Sequence, residues 1–239
     1  MTKAIYFQNV SYAVDDTPIL TDITGSFPDG KITTLVGPSG SGKTTVLKLC
    51  NGLVSPTSGD IYIDGRPIAS YEPTALRRHI GIALQYAPFI DGTVYDNLAL
   101  PYRLRGQSFP EQNAIEYLEK VGLDKSLLYR DGNELSGGQR QKVSIARTLI
   151  NHPKVLLLDE ITSALDPTSV REIEELIMNI NKTYCVTIVW ITHDISQAMK
   201  IGEYTWVLKE GQLVEEGEIE ILQRPTNEFI RRFVQGEVR

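Results

Sequence analysis

The sequence predicts an α/β fold, a mostly parallel β-sheet covered by helices on both faces, and three features of the 239-residue chain point to it. Short apolar runs at residues 32–36, 155–158 and 187–191 are continuous rather than alternating, as strands buried on both faces are. Stretches of helical periodicity separate them; Val170, Ile173, Ile177 and Ile180, for example, share one helix face. The first run stops at a glycine-rich loop that leads into another helix pattern. Strands alternating with helices in this way imply crossover connections and parallel pairing.

Taken in order, residues 5–12 read as a strand. Thr17-Pro18 and Pro28-Asp29-Gly30 mark turns around a second strand that contains Ile23 and Phe27. The run at 32–36 is followed by the glycine loop and a helix carrying Val46, Leu47, Leu49 and Cys50. A loop at 55–59 precedes a short strand, Ile61-Tyr62-Ile63, that ends in the turn signal Asp64-Gly65. Residues 79–84 form another strand candidate. From about Gln85 onward the chain is poor in strand runs and shows helix-type spacing at Ile115, Leu118 and Val121, the pattern of a helical insertion. After the runs at 155–158 and 187–191, residues 206–213 suggest a hairpin and 228–234 a short amphipathic helix.

Composition narrows the functional classes. The formal net charge is −6 and 41% of residues are hydrophobic, ordinary values for a globular chain. The acidic balance argues against non-specific nucleic-acid binding. No apolar run approaches the ~18 residues of a membrane span, and no apolar leader precedes the first strand, which points away from secretion. Two cysteines, Cys50 and Cys185, lack metal-ligand spacing, so the expected compartment is reducing.

The chemistry is concentrated at four places. Gly37-Pro38-Ser39-Gly40-Ser41-Gly42-Lys43-Thr44 matches G-x-x-x-x-G-K-[ST] at every fixed position, with a strand before it and a helix after it. Glycines let successive N–H groups converge on one phosphate, and the helix N-terminus adds its positive end. Lys43 can reach β- and γ-phosphates and the Thr44 hydroxyl can ligate Mg²⁺; Thr45 continues the phosphate-binding segment. The run at 155–158 ends in Asp159 and Glu160, where an open α/β sheet gathers its ligands. Asp159 suits Mg²⁺, and Glu160 suits orienting or deprotonating an attacking water. Leu135-Ser136-Gly137-Gly138-Gln139 opens a helix; Ser136 with Gln139 fits a capping box, and its glycines expose N–H groups suited to a γ-phosphate. His193 ends the run at 187–192.

Together these residues resemble the ATP-binding cassette (ABC) ATPases, a P-loop NTPase family, over nearly the whole chain. The resemblance implies one ABC ATPase domain, with an N-terminal antiparallel β region, a catalytic core at 1–85 and 146–239 and a helical subdomain at 86–145 that includes the signature Ser136-Gly137-Gly138. It implies ATP and Mg²⁺ as cofactors, Tyr12 as the adenine-stacking aromatic, and Gln85 as the Q-loop glutamine near Mg²⁺ or the attacking water. Ser163-Ala164-Leu165-Asp166 resembles the D-loop, although Asp166 before Pro167 also fits a helix N-cap. His193 resembles the switch histidine. A head-to-tail dimer is implied, formed with a second copy or a paralogous ATPase, with each ATP held between one subunit's P-loop and the other's signature segment. A separate transmembrane permease is the implied partner, docking near residues 86–98, with the ATPase cytoplasmic on the inner face of the membrane. Within the family, Gly92 to Leu98 and Pro153 to Asp166 look most like small ATPases paired with metal, notably iron, exporters; phosphate and amino-acid importers are the competing branch. The chain lacks the basic patch expected of nucleic-acid partners, and the presence of Lys43, Asp159, Glu160 and His193 argues against a non-hydrolysing scaffold.

Overall fold

The fold is described from a computed structural model that covers residues 2–238. β1 (Lys3–Val14) and β2 (Thr17–Pro28) form a long antiparallel hairpin. Its turn is Asp15-Asp16, both with positive φ (46° and 64°), the two-residue form that matches strand twist. The turn therefore precedes Thr17-Pro18, and Pro18 pairs with Ala13 inside β2. This is tolerated because β2 is an edge strand. β3 (Ile32–Val36) leads through the glycine loop into α1 (Lys43–Cys50). β4 (Ser58–Ile63) and β5 (Arg66–Pro67) complete an antiparallel sheet in the order β2-β1-β4-β5.

A helix absent from the sequence reading follows, α2 (Pro73–His79). Proline at its first position and the Glu72 carboxylate, which accepts from the Thr74 and Ala75 amides at 2.9 and 3.0 Å, start it. His79 closes this helix, so the next strand, β6 (Ile80–Ala83), is shorter than the expected 79–84. Then come α3 (Val94–Arg103), α4 (Glu111–Lys120) and α5 (Gly137–Leu149), which runs unbroken across residue 145. β7 (Val155–Asp159), α6 (Pro167–Tyr184), β8 (Thr187–Ile191), α7 (Ile195–Ile201), the hairpin of β9 (Tyr204–Lys209) and β10 (Gln212–Glu218), α8 (Glu220–Gln223) and α9 (Glu228–Val234) complete the chain.

The second sheet has the order β10-β9-β3-β8-β7-β6, parallel except for the β9–β10 pair. Strand alternation explains its two cores. Val155, Leu157, Val189 and Ile191 face the antiparallel sheet and α1, whereas Leu156, Leu158, Ile188 and Trp190 face the helical layer. That second core also holds Leu98, Leu118, Val143, Ile145 and Ile177, so helices α3 to α6 share one apolar interior with the sheet. A third cluster, with Val36, Val207, Leu222 and Ile230, seats α8 and α9.

Trp206 joins the sheets. Its ring stacks on Phe27 at 4.3 Å between centroids, meets Phe7 edge-on at 5.6 Å, and donates its indole N–H to the Ser26 carbonyl at 3.1 Å. Gly25 permits this approach, because a Cβ there would lie 2.7 Å from the Trp206 ring and 2.8 Å from Leu213. Gly25→Ala is expected to destabilise the protein by about 1–3 kcal/mol through overpacking, read as a lower denaturant midpoint with unchanged slope.

Candidate active site

Three parallel strands end together, and their ends carry the polar residues. β3 pairs with β8, and β8 with β7, in a register that sets Leu35 and Asp159 both opposite Ile191. The loop after β3, the two carboxylates after β7 and the segment after β8 therefore converge on one rim.

The loop at 37–44 is shaped by positive φ at Gly37, Gly40 and Gly42 (148°, 75° and 98°). At Gly37 a side chain would strike the Leu208 carbonyl of β9, so the hairpin braces the loop from behind. Beyond the Gly40 Cα there is open space. Lys43 is only 5% exposed. Its ammonium donates to the carbonyls of Gly37 (2.9 Å) and Pro38 (2.8 Å), curling over the loop that it closes. Burial pushes the Lys43 pKa below the ordinary lysine value, and Glu160 and Asp159 pull it back up.

Thr44, one residue on, donates its hydroxyl to Asp159 Oδ1 at 3.2 Å. Burial raises the Asp159 pKa first; Glu160 adds to the rise, while the Thr44 hydrogen bond, Lys48 and Lys43 oppose it. Two hard oxygen donors side by side, one a carboxylate short of positive charge, fit Mg²⁺, which ordinarily takes one or two protein oxygens and completes its shell with phosphate and water.

Glu160 has φ of 50°, a strained conformation for a non-glycine residue. Its amide donates to the Ile191 carbonyl at 3.2 Å, so the turn out of β7 is anchored to β8. Its carboxylate oxygen Oε1 lies 2.6 Å from His193 Nε2. An ionised carboxylate can only accept, so the imidazole donates there. Gln85 is joined to the same turn: its amide donates to Ser163 Oγ at 2.9 Å, which in turn donates to the Glu160 carbonyl at 2.9 Å. This link was not legible in the sequence, since 78 residues separate its ends. A second unread network lies beneath it. Buried Gln197 contacts Thr162 Oγ1 (3.3 Å) and donates to Glu174 (2.8 Å), and Glu174 accepts from Lys200 at 2.6 Å. It ties the segment after Glu160 to α7, the helix that follows His193.

The remaining sequence candidates lie apart from this rim or on its margin. Tyr12 is half-buried and packs against the core between the sheets. Ser136 and Gln139 form the expected capping box, with Gln139 N–H to Ser136 Oγ at 3.2 Å and Ser136 N–H to Gln139 Oε1 at 3.0 Å. Among the described residues, no hydrogen bond joins 136–139 to the loop at 37–45 of the same chain. Asp166 caps α6, accepting from the Thr168 and Ser169 amides at 3.0 and 3.1 Å. The Ser169 hydroxyl, which donates to Asp166, is the main cause holding its carboxyl below the usual range.

Comparison with known proteins agrees with this geometry. The pattern of the family described as ABC transporter matches residues 20–163. YjkB of Bacillus subtilis, named as an ABC transporter ATP-binding protein, is 42% identical over 99% of this chain and 96% of its own. MetN of Caulobacter vibrioides, named for methionine import, is 40% identical over 97% of this chain and 72% of its own. FetA of Escherichia coli, named for iron export, is 37% identical over 80% of this chain and 84% of its own. Among solved structures, cbiO1 of Clostridium perfringens, part of the ABC transporter complex cbiONQ, superposes over both whole chains with a TM-score of 0.83 at 28% identity. The dimeric cassette MJ0796, bound to ADP and Pi after hydrolysis, covers 90% of this chain and 98% of its own, with a TM-score of 0.79 at 32% identity. With its glycine loop, paired carboxylates and histidine on one rim, the chain belongs to the ABC transporter family as an ATP-binding cassette ATPase.

Proposed function

We propose that the chain binds ATP between the loop at 37–45 and the signature segment of a second subunit, hydrolyses it, and thereby drives a separate transmembrane permease, a metal (iron) exporter. The observation that carries the hydrolytic part is the meeting of Lys43, Thr44, Asp159, Glu160 and His193 at the ends of three parallel strands. Backbone N–H groups of Gly40 to Thr45 hold the β-phosphate, and Lys43 swings from the Gly37 and Pro38 carbonyls onto phosphate oxygens. Thr44 and Asp159 hold Mg²⁺, which when bound neutralises charge on the β- and γ-phosphates. Gln85 acts beside them through its amide, and Tyr12 stacks on the adenine. Glu160 accepts a proton from the attacking water, and His193, 2.6 Å away, keeps that carboxylate aimed and meets the γ-phosphate.

The amides of Ser136 and Gln139 are used in the capping box, and among the described residues those of Gly137 and Gly138 make no hydrogen bond to their own P-loop, which suits the signature segment to a partner's γ-phosphate. The dimeric state of MJ0796 supports pairing with a second subunit, for which a head-to-tail arrangement is proposed. Cleavage then removes the shared phosphate and loosens the interface. In this reading 1–85 and 146–239 act as the catalytic core and 86–145 as the moving helical part. A cleft of about 400 Å³ bordered by Pro88, Phe89, Ile90, Pro101 and Leu104 offers the permease a docking place. Tyr86 is 76% exposed, whereas Val94 and Leu98 are fully buried, so the 86–98 stretch both packs inward and presents a surface. Among the described residues no helix is long and apolar enough to cross a membrane, in keeping with a cassette held at the inner face by its permease. The name of FetA supports metal export; the name of MetN favours amino-acid import as the second reading.

Glu160→Gln is expected to lower turnover by about 100-fold or more and to leave an ATP-dependent dimer in light scattering; a persistent monomer at saturating ATP would refute the sandwich. Asp159→Asn separates stability from function. An acid whose folded pKa is raised above its ordinary 3.8 adds stability while protonated and loses it as pH rises through the raised value, so ionised Asp159 is held at a cost at pH 7. The variant is expected to melt about 2–4 °C higher without nucleotide but to lose most of the further rise that Mg·ATP gives the parent. For the solute, the permease that co-purifies after gentle solubilisation, reconstituted with the cassette, is expected to carry iron(II) outward; ATP-driven methionine uptake instead would establish the importer reading.

A further inference from the structure

At the opposite end of the sheet from the nucleotide rim lies a cavity of about 290 Å³, between the end of α4, the turn before β7 and the turn before β8. Its wall includes Tyr117, Lys120, His152, Lys154, Tyr184 and Cys185, and none of its lining residues is acidic. That is unexpected in a chain of net charge −6. The Lys120 ammonium lies 4.4 Å from the Tyr117 ring centroid and 6.0 Å from that of Tyr184. Among the described residues it has no carboxylate within salt-bridge distance. Lys154 has a single long contact, 3.5 Å to Asp64, and is 71% exposed. The Tyr117 hydroxyl sits 3.3 Å from His152 Nε2; burial pushes its pKa up to about 12, so it stays a neutral hydrogen-bond donor.

Two of the turns in this wall are held in left-handed backbone at residues that disfavour it, His152 (φ 50°) and Cys185 (φ 52°). Cys185 ends α6, where glycine would be the lower-energy choice.

We propose that this cavity is a binding site for a small aromatic carboxylate. The ring lies against Tyr117, Tyr184 and the aliphatic floor, and the carboxylate meets Lys120 and Lys154 with the Tyr117 hydroxyl beside them. The volume stands at the low end for ligand pockets and suits one or two rings. The occupant contacts α4 and the starts of β7 and β8 at once, so it bridges the helical layer and the two strands whose far ends carry Asp159, Glu160 and His193.

The test uses the full chain and 4-fluorobenzoate, observed by fluorine NMR, with 4-fluorobenzyl alcohol and 4-fluorobenzylamine as uncharged and cationic counterparts. Saturable binding of the carboxylate is expected, at least about tenfold tighter than either counterpart, and weakened about tenfold by Lys120→Met and by Tyr184→Ala. Cys185 supplies a second readout that is local to the cavity. Cys50 is fully buried, with its thiol pushed far above the usual range, so Cys185 is the accessible thiol. Saturating 4-fluorobenzoate is expected to slow alkylation of Cys185 by N-ethylmaleimide at least threefold. Equal binding of carboxylate and alcohol, an unaffected Lys120→Met protein, or an unchanged alkylation rate would each overturn the proposal. The last result would place any bound anion at another site, the phosphate loop included.

Discussion

The buried ammonium of Lys43 and the carboxylates of Asp159 and Glu160 share one rim, and the rest of the structure exists to hold them there. The ammonium is withdrawn from water against the carbonyls of its own loop, while burial drives the Asp159 pKa up and that of Lys43 down. Each group is thus kept in an environment that disfavours its charge. In the proposed function a polyphosphate with its divalent cation would add negative charge beside Lys43 and positive charge beside Asp159, offsetting that burial. Burial that disfavours these charges would thereby favour binding of such a ligand.

Parallel pairing makes this arrangement rigid. In β3, β8 and β7 the hydrogen-bond register fixes where each strand stops, and all three stop at the same level. Alternate side chains of these strands are committed to two different cores, so a one-residue slip would turn each set into the core shaped for the other. The rim inherits its geometry from several fully buried aliphatic side chains rather than from the polar contacts at the site. The β9–β10 hairpin adds a second constraint, since Leu208 lies directly behind Gly37 and the Gly211 amide donates to the Ser41 carbonyl at 3.2 Å.

Although helices α3 to α6 share an apolar core with the sheet, the link from Gln85 to the turn at Glu160 is polar. Gln85 reaches the Glu160 turn through the hydroxyl of Ser163 alone, and the chain then leaves the sheet for α3. A hydrogen-bonded link of this kind can be exchanged for contacts with nucleotide or water at little cost, unlike an apolar one. Beneath it buried Thr162, Gln197 and Glu174 are hydrogen-bonded to one another and on to the more exposed Lys200, which favours a fixed rather than a mobile relation between the turn after Glu160 and α7.

The sequence alone determined the features that local chemistry dictates. The glycine loop is set by positive φ, the strands β3, β7 and β8 by continuous apolar runs, and the caps at Ser136 and Asp166 by side chains that bond within three residues. Helix α2 escaped notice because its short span has one buried apolar residue, Leu76, and its start depends on a glutamate cap. The Asp15-Asp16 turn escaped because aspartate enters left-handed backbone less readily than the glycine that signals such turns. Only the tertiary structure decided which distant groups meet: Gln85 with Ser163, His193 with Glu160, Lys120 with two tyrosines from separate helices. Such contacts depend on register and helix packing across tens of residues, and no periodicity within a single segment encodes them.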